Sequence, residues 1–189
     1  MLKRKLSNTE FRLMQVFMKL ADHVHPHVRI KTEAFGVKPG QTVVDYGCGP
    51  GRYAVELARL VGAAGKVIAV DLVEIALQET QLKLEEGGFQ NFELKLAQGY
   101  DTGIPDEVVD IVFAIDMFHH ISDTNAFLQE VFRISKPDGL LVLSGGHMLR
   151  TNVKTKIDMS GIWDIAEERK ELIAYKKRGG MASSSPTLT

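Results

Sequence analysis

Cysteine is almost absent: Cys48 stands alone in 189 residues. No internal disulfide can form, which fits a reducing compartment. An excess of one charge is also missing. The 23 basic and 24 acidic side chains leave a formal net charge of −1 and a pI near 6.6. Neither nucleic acid nor an anionic membrane therefore has an electrostatic reason to bind. No window approaches the roughly 18 apolar residues that a membrane span needs. The basic start MLKRKLSNTEFRL lacks the apolar core of a signal peptide. These absences point to a cytoplasmic protein with no membrane span and no nucleic-acid partner. What is present is 44% apolar residues in a chain of one-domain length, enough for a real core.

Patterning supplies the organisation. Ser7-Asn8-Thr9-Glu10 is a helix-start signal, and Phe11, Met14, Phe17, Met18 and Ala21 follow at helical spacing. Pro26 ends that helix. A short second helix over 28–35 stops at Gly36, and Pro39-Gly40 is a turn. Strands and helices then alternate: strands over 42–46, 66–71, 91–97, 109–116 and 140–144, helices over 53–61, 74–86 and 124–134. The helix 124–134 stops before Pro137-Asp138-Gly139. Such alternation means an α/β fold with a parallel sheet and helices on both faces. The apolar runs KVIAV, DIVFAI and LLVLS suit central strands buried on both sides. The segment 162–177, IWDIAEERKELIAYKK, fits either a helix or two short strands around a charged turn. Its Glu, Lys, Arg and Ala content favours helix. Three regions result: N-terminal helices over 1–36 that form a lid, a central domain over 37–178, and a Gly/Ser/Pro/Thr-rich flexible tail over 179–189.

The chemistry concentrates in TVVDYGCGPGRY. A glycine-rich turn after an apolar strand lets backbone approach a ligand closely. Gly47, Gly49 and Gly51 are spaced by two, and Arg52 occupies the place of the third glycine of a dinucleotide fingerprint. No Gly-Lys-Ser/Thr follows, so the turn is not a P-loop. Asp45 stands two residues before the first glycine, where a carboxylate would repel a pyrophosphate and favour a cationic ligand. S-adenosylmethionine has an ammonium, a sulfonium and no phosphate, so Asp45 can attract the ammonium directly or through water. Asp71, at the end of KVIAVD, can accept both hydroxyls of a ribose, and Leu72 beside it can pack on adenine. Asp45, Asp71 and Asp116 all fall at carboxyl ends of predicted strands, the rim where open α/β sheets bind ligands.

DYGCGPG, VIAVD, GIPDEVVDIVFAIDMFHHISD and RISKPDGLLVLS together resemble the class I S-adenosylmethionine-dependent methyltransferases, with ubiquinone/menaquinone-biosynthesis-like small-molecule enzymes as the nearest type. The resemblance covers about residues 37–144. It implies a Rossmann-like, doubly wound sheet of seven mostly parallel strands whose last two form an antiparallel hairpin. That tips 162–177 toward a hairpin, against local propensity. It implies S-adenosylmethionine as cofactor, S-adenosylhomocysteine as product, and a cofactor site built from Asp45, Tyr46, Gly47, Gly49, Gly51, Asp71, Leu72 and Asp116. Asp101 is the only acid in AQGYDTG that could hold the adenine amino group; Tyr100 or backbone groups are the alternatives.

Catalytic candidates are His119 and His120, after the fourth strand, and His147, after the fifth. Each could take a proton from an acceptor hydroxyl or amine, or merely order its loop. His23, His25 and His27 alternate around Pro26, which suits a solvated turn better than a metal site. No cluster of acids and Asn suggests Mg²⁺, and one cysteine does not suit arsenite, so no metal is expected. The expected reaction is methyl transfer to a small-molecule acceptor. A non-catalytic cofactor-binding scaffold acting through a protein partner is the alternative, and a second subunit of a homodimer could complete a shallow acceptor pocket.

Overall fold

A computed structural model describes residues 27–179. The helix expected over 11–21, His23, His25 and the tail beyond Gly179 lie outside the described residues. Helix α1 (His27–Glu33) precedes β1 (Thr42–Tyr46), α2 (Arg52–Val61), β2 (Lys66–Asp71), α3 (Glu74–Glu86), β3 (Phe92–Leu96) and β4 (Val109–Ala114). A 3₁₀ turn (Phe118–His120), α4 (Thr124–Ile134), β5 (Ser135–Leu143), α5 (Arg150–Asp158), β6 (Trp163–Glu168) and β7 (Ile173–Lys177) complete the order. The seven strands form one sheet, β3-β2-β1-β4-β5-β7-β6. The first five run parallel, and β7 pairs antiparallel with β5 and β6.

The layers follow from which residues are apolar on both sides of a strand. Val43 faces a core that includes Phe35, Tyr53, Leu57, Leu77 and Phe113. Val44 and Tyr46 face another built on Phe118, Phe127, Val131, Trp163 and Tyr175. Helix α2 buries Tyr53, Ala54, Leu57, Ala58 and Val61 at helical spacing. Asp123 caps α4 by accepting the Ala126 N–H at 3.0 Å.

The expected C-terminal hairpin is present, one strand boundary moves, and one helix is added. The hairpin forms where propensity favoured helix, because Trp163, Ile173 and Tyr175 are buried on the sheet and packing outweighs the charged middle. Strand β5 starts at Ser135 rather than 140: Ser135 pairs with Val109 and Leu140 with Ile111, so 136–139 bulge opposite Asp110. Pro137 cannot donate to a ladder and is accommodated there, while Lys136 Nζ reaches Asp110 Oδ1 at 2.7 Å across the bulge. Helix α5 was not foreseen. It buries only Val153 and Ile157, too weak a stripe to stand out in RTNVKTKID.

Candidate functional site

The site is the carboxyl rim of β1, β2, β4 and β5. β1 lies between β2 and β4, so the chain crosses to opposite sides of β1 there and opens a crevice. After Tyr46, Gly47, Gly49 and Gly51 take φ of 76°, 52° and 77°, which residues with a Cβ rarely adopt. The Gly47 and Cys48 N–H groups donate to the Val70 carbonyl at 2.8 and 3.0 Å, tying the turn to β2. The Gly49 N–H donates to Asp71 Oδ2 at 2.9 Å, and Asp71 Oδ1 accepts the Val73 N–H at 2.9 Å. Thr80 Oγ1 donates to the Gly49 carbonyl at 3.0 Å and Lys83 Nζ to that of Pro50 at 2.6 Å.

Asp45 is 2% exposed. It accepts the Ala54 N–H of α2, while Oδ2 has no hydrogen-bond partner. Burial, with the Asp71 charge adding and the Ala54 bond opposing, pushes its carboxyl up from 3.8 to about 7. Burial also raises the Cys48 thiol, which donates weakly to the Gly49 carbonyl and behaves as an inert space-filler. The folded state therefore holds the Asp45 proton where the unfolded chain has lost it. Stability falls as pH rises from about 4 to about 7, by at most about 1.4 kcal/mol per pH unit. We expect the unfolding free energy of the ligand-free wild type minus that of Asp45→Asn, from urea titrations, to decline across that window and flatten above it. A flat difference would contradict the raised carboxyl.

Other predicted residues fall as follows. The Tyr46 ring is buried edge-on to Phe127 at 5.0 Å and its hydroxyl donates to the Tyr100 carbonyl, so it serves the core, leaving backbone at the turn. Leu72 is exposed beside Asp71, and Leu96, missed in the sequence, is exposed in register with Asp71 on β3. Asp101 accepts the Gly103 N–H, and its backbone exchanges hydrogen bonds with Gln98. The Tyr100 hydroxyl accepts the Ser122 and Asp123 N–H groups.

Asp116 lies on the other side of β1. Its φ is +58°, strained for a residue with a side chain. Oδ2 accepts from the Tyr53 hydroxyl at 2.9 Å and Lys31 Nζ at 3.2 Å. Oδ1 accepts from Ser144 Oγ at 2.8 Å, and the same hydroxyl oxygen accepts the Asp116 N–H at 2.7 Å. Burial would raise this carboxyl; Lys31, Ser144 and Tyr53 outweigh it and hold it below the ordinary value. Lys31 also approaches Glu171 at 3.7 Å. Asp116 and Lys31, with Ser144, Met148, Arg150 and Ile173 among other residues, line a cavity of about 220 Å³. The three histidines converge beside it: His119 is 3.9 Å from His120 and 5.4 Å from His147, ring centre to ring centre. Among the described residues no group of His, Cys, Asp or Glu is arranged to hold a metal.

A family model described as a methyltransferase domain matches residues 37–178. The chain belongs to the class I S-adenosylmethionine-dependent methyltransferase family. This methyltransferase domain is 30% identical over 116 residues to a ubiquinone/menaquinone biosynthesis C-methyltransferase of Vibrio vulnificus, covering 61% of the chain and 45% of that protein. It is 28% identical over 145 residues to a demethylmenaquinone methyltransferase of Anoxybacillus flavithermus, covering 70% and 61%. The chain thus spans about half the length of these curated relatives. In fold it is similar to a protein of Methanococcus maripaludis assigned as an S-adenosyl-L-methionine-dependent methyltransferase (TM-score 0.79, 17% identity, 95% and 97% of the two chains). A SAM-dependent methyltransferase of Aquifex aeolicus is likewise similar (TM-score 0.71, 24% identity, 84% and 96%). The methyltransferase cofactor is S-adenosylmethionine and the product S-adenosylhomocysteine. The turn fits that cofactor: the Gly49 N–H, which a phosphate would need, is already given to Asp71, and an unpartnered carboxylate oxygen lies buried before the turn. Among the described residues no helix is long and apolar enough to cross a membrane.

Proposed function

We propose that this methyltransferase domain transfers a methyl group from S-adenosylmethionine to a small-molecule acceptor seated in the Asp116 cavity, by in-line displacement. The cofactor supplies a methyl group on a sulfonium, a leaving group that needs no activation. The protein's work is alignment and exclusion of water. Asp45, Asp71 and the backbone of Tyr46, Gly47, Gly49 and Gly51 hold the cofactor's polar parts. Leu72 and Leu96 offer apolar surface to the adenine, and Asp101 lies within the same rim.

The observation that carries the reading is the strained Asp116, fixed by Tyr53, Ser144 and Lys31 at the edge of the cavity. Met117, the next residue, packs against Gly47 so closely that a Cβ there would sit 3.1 Å from its side chain. A residue that lines the cavity, Asp116, is thus followed directly by one packed on the glycine turn. An ionised Asp116 can orient an acceptor O–H or N–H, and His119, half-buried between His120 and His147, is placed to take a proton where the acceptor must lose one. The relatives' names attach methyl transfer to ubiquinone and menaquinone biosynthesis and so favour a carbon acceptor on a small ring compound.

Methyl-labelled S-adenosylmethionine, offered with a panel of hydroxylated aromatic and amine acceptors, tests this. Wild type should label at least one acceptor. Asp116→Asn should cut the rate by at least about tenfold, while cofactor affinity stays within about twofold. Cofactor binding with no labelled acceptor across the panel would favour the non-catalytic scaffold.

A further inference from the structure

The Asp116 cavity is unevenly charged. Lys31, Arg150 and Lys170 line it against Asp116 and Glu171, three cations to two acids. Lys31 serves both acids: its Nζ lies 3.2 Å from Asp116 Oδ2 and 3.7 Å from Glu171 Oε2. Arg150 is spent on the turn between β6 and β7. Nη1 donates to the Arg169 and Lys170 carbonyls at 2.6 and 3.1 Å, and Nη2 to Glu168 Oε2 at 3.0 Å. Glu168 also accepts from Lys154 Nζ at 2.6 Å, so two cations already share that carboxylate. Arg169 pairs with Glu167 at 2.7 Å. Lys170 is left over. Among the described residues its ammonium has no ion pair, and α5 brings no acid in its first turn.

An unpaired lysine on a surface is ordinarily just hydrated. Lys170 differs in its surroundings. Its backbone is held: the Arg169 N–H donates to the Leu172 carbonyl at 2.9 Å, and Arg150 grips the Lys170 carbonyl. It also shares the cavity with buried Leu143, Val153 and Ile173, an apolar surface on which a small organic body can rest. An acceptor that gives its O–H or N–H to Asp116 fills that space and meets Lys170 with another part of itself. A neutral part gains little from the ammonium. An oxyanion gains a charge-assisted hydrogen bond and cancels the excess charge. A cationic part is repelled.

We propose that the acceptor carries an oxyanion, a carboxylate or a phosphate, and that Lys170 is the residue that selects for it. The inference rests on the acceptor reading given above and narrows it. Arg150 is a positioning residue, holding the turn that presents Lys170. The oxyanion gains and loses no bond during methyl transfer, so its contact with Lys170 is the same before and during the reaction. Losing that contact raises KM and leaves kcat nearly unchanged.

Benzoate, inorganic phosphate and benzyl alcohol, titrated separately into the full chain, test this by nuclear magnetic resonance. The signals to follow are the backbone amides of Gly145 and Gly146, which line the cavity. No cofactor is needed, so the result is independent of the cofactor site. At least one anion should shift both amides and saturate; which one does so tells carboxylate from phosphate. It should bind at least about fivefold more tightly than benzyl alcohol, weaken at least about fivefold in Lys170→Gln, and return to within about twofold in Lys170→Arg. Lys170 is exposed, so Lys170→Gln should keep its melting temperature within about 2 °C. Neither anion at these amides, benzyl alcohol binding as tightly as the better anion, or equal anion affinity in wild type and Lys170→Gln would each overturn the proposal. The labelled-methyl assay separates it from the reading beneath it, using carboxylated and phosphorylated phenols beside phenol itself. An anionic phenol should be labelled, with KM raised at least about fivefold and kcat within about twofold in Lys170→Gln. Label on phenol alone would leave methyl transfer standing and overturn anion selection. Anion binding that depends on Lys170, with no acceptor labelled, would keep the anion site and overturn the transfer reading.

Discussion

Asp71→Ala is expected to weaken S-adenosylmethionine binding by at least about a hundredfold in calorimetry. The argument begins with the ligand-free fold. Asp71 accepts the Gly49 and Val73 N–H groups at 2.9 Å each, so it closes the glycine turn onto the end of β2 and starts the connection to α3. Hydrogen bonds to a charged group contribute about 1.5–3 kcal/mol each. Alanine removes both and leaves two backbone donors to find water. The two carboxylate oxygens are also the acceptors proposed for the ribose hydroxyls. The substitution thus disorders the turn and deletes the acceptors together. Asp71→Asn separates the two effects. Its carbonyl oxygen can replace one acceptor, while its amide NH₂ faces an N–H across the other contact. An intermediate loss is expected there. Wild-type affinity in Asp71→Ala would remove Asp71 from the site.

How far the site was legible depended on distance along the chain. Asp45 to Gly51 occupy a strand end and the turn after it, and Asp71 closes the next strand, so the glycine turn and its two acids rest on short-range patterns legible in the sequence. The second half is long-range. Asp116 meets Ser144, Tyr53 and Lys31 at separations of 28, 63 and 85 residues. No pattern within one window announces those contacts, and Lys31 and Tyr53 drew no notice. Asp116 joins the candidate cofactor residues in the sequence because it ends a strand, and its side chain also lines a cavity with Lys31 and Ser144. The three histidines were visible singly, but their convergence needs the turns after β4 and β5 to be adjacent, which only the strand order provides.

The same contrast runs through the fold. Helices with a clear stripe, such as α2, and central strands with continuous apolar runs were found nearly to their ends. The β6–β7 hairpin was not readable from propensity, because the residues that decide it, Trp163, Ile173 and Tyr175, act by burial against β5 and the helical layer. The family resemblance supplied what local preference opposed. α5, with two buried residues, had neither a strong stripe nor a motif.

Gly51→Ala and Gly49→Ala are expected to fail in opposite ways. Both residues have positive φ, so a Cβ costs about 1 kcal/mol at either. Their surroundings differ. A Cβ at Gly51 would sit 2.8 Å from Thr80 Oγ1 and 2.9 Å from Thr80 Cα. Thr80 is fully buried on α3, so relief requires moving backbone between α3 and the turn. Overpacking of that kind costs about 1–3 kcal/mol more. The total, about 2–4 kcal/mol, corresponds to a fall in melting temperature of roughly 4–16 °C for a chain of this length. A Cβ at Gly49 meets no heavy atom within 4 Å among the described residues, so the fold should lose only the conformational part, roughly 2–4 °C. The methyl group would stand on the turn whose N–H reaches Asp71, where the proposed site brings the cofactor's methionine part against the backbone. Calorimetry should therefore show Gly49→Ala folded and bound at least about tenfold more weakly, with the stability loss concentrated in Gly51→Ala. Wild-type affinity in Gly49→Ala would mean that the ligand does not lie against this face of the turn. A melting temperature unchanged in Gly51→Ala would mean that α3 and the turn are less tightly apposed than the 2.9 Å approach requires.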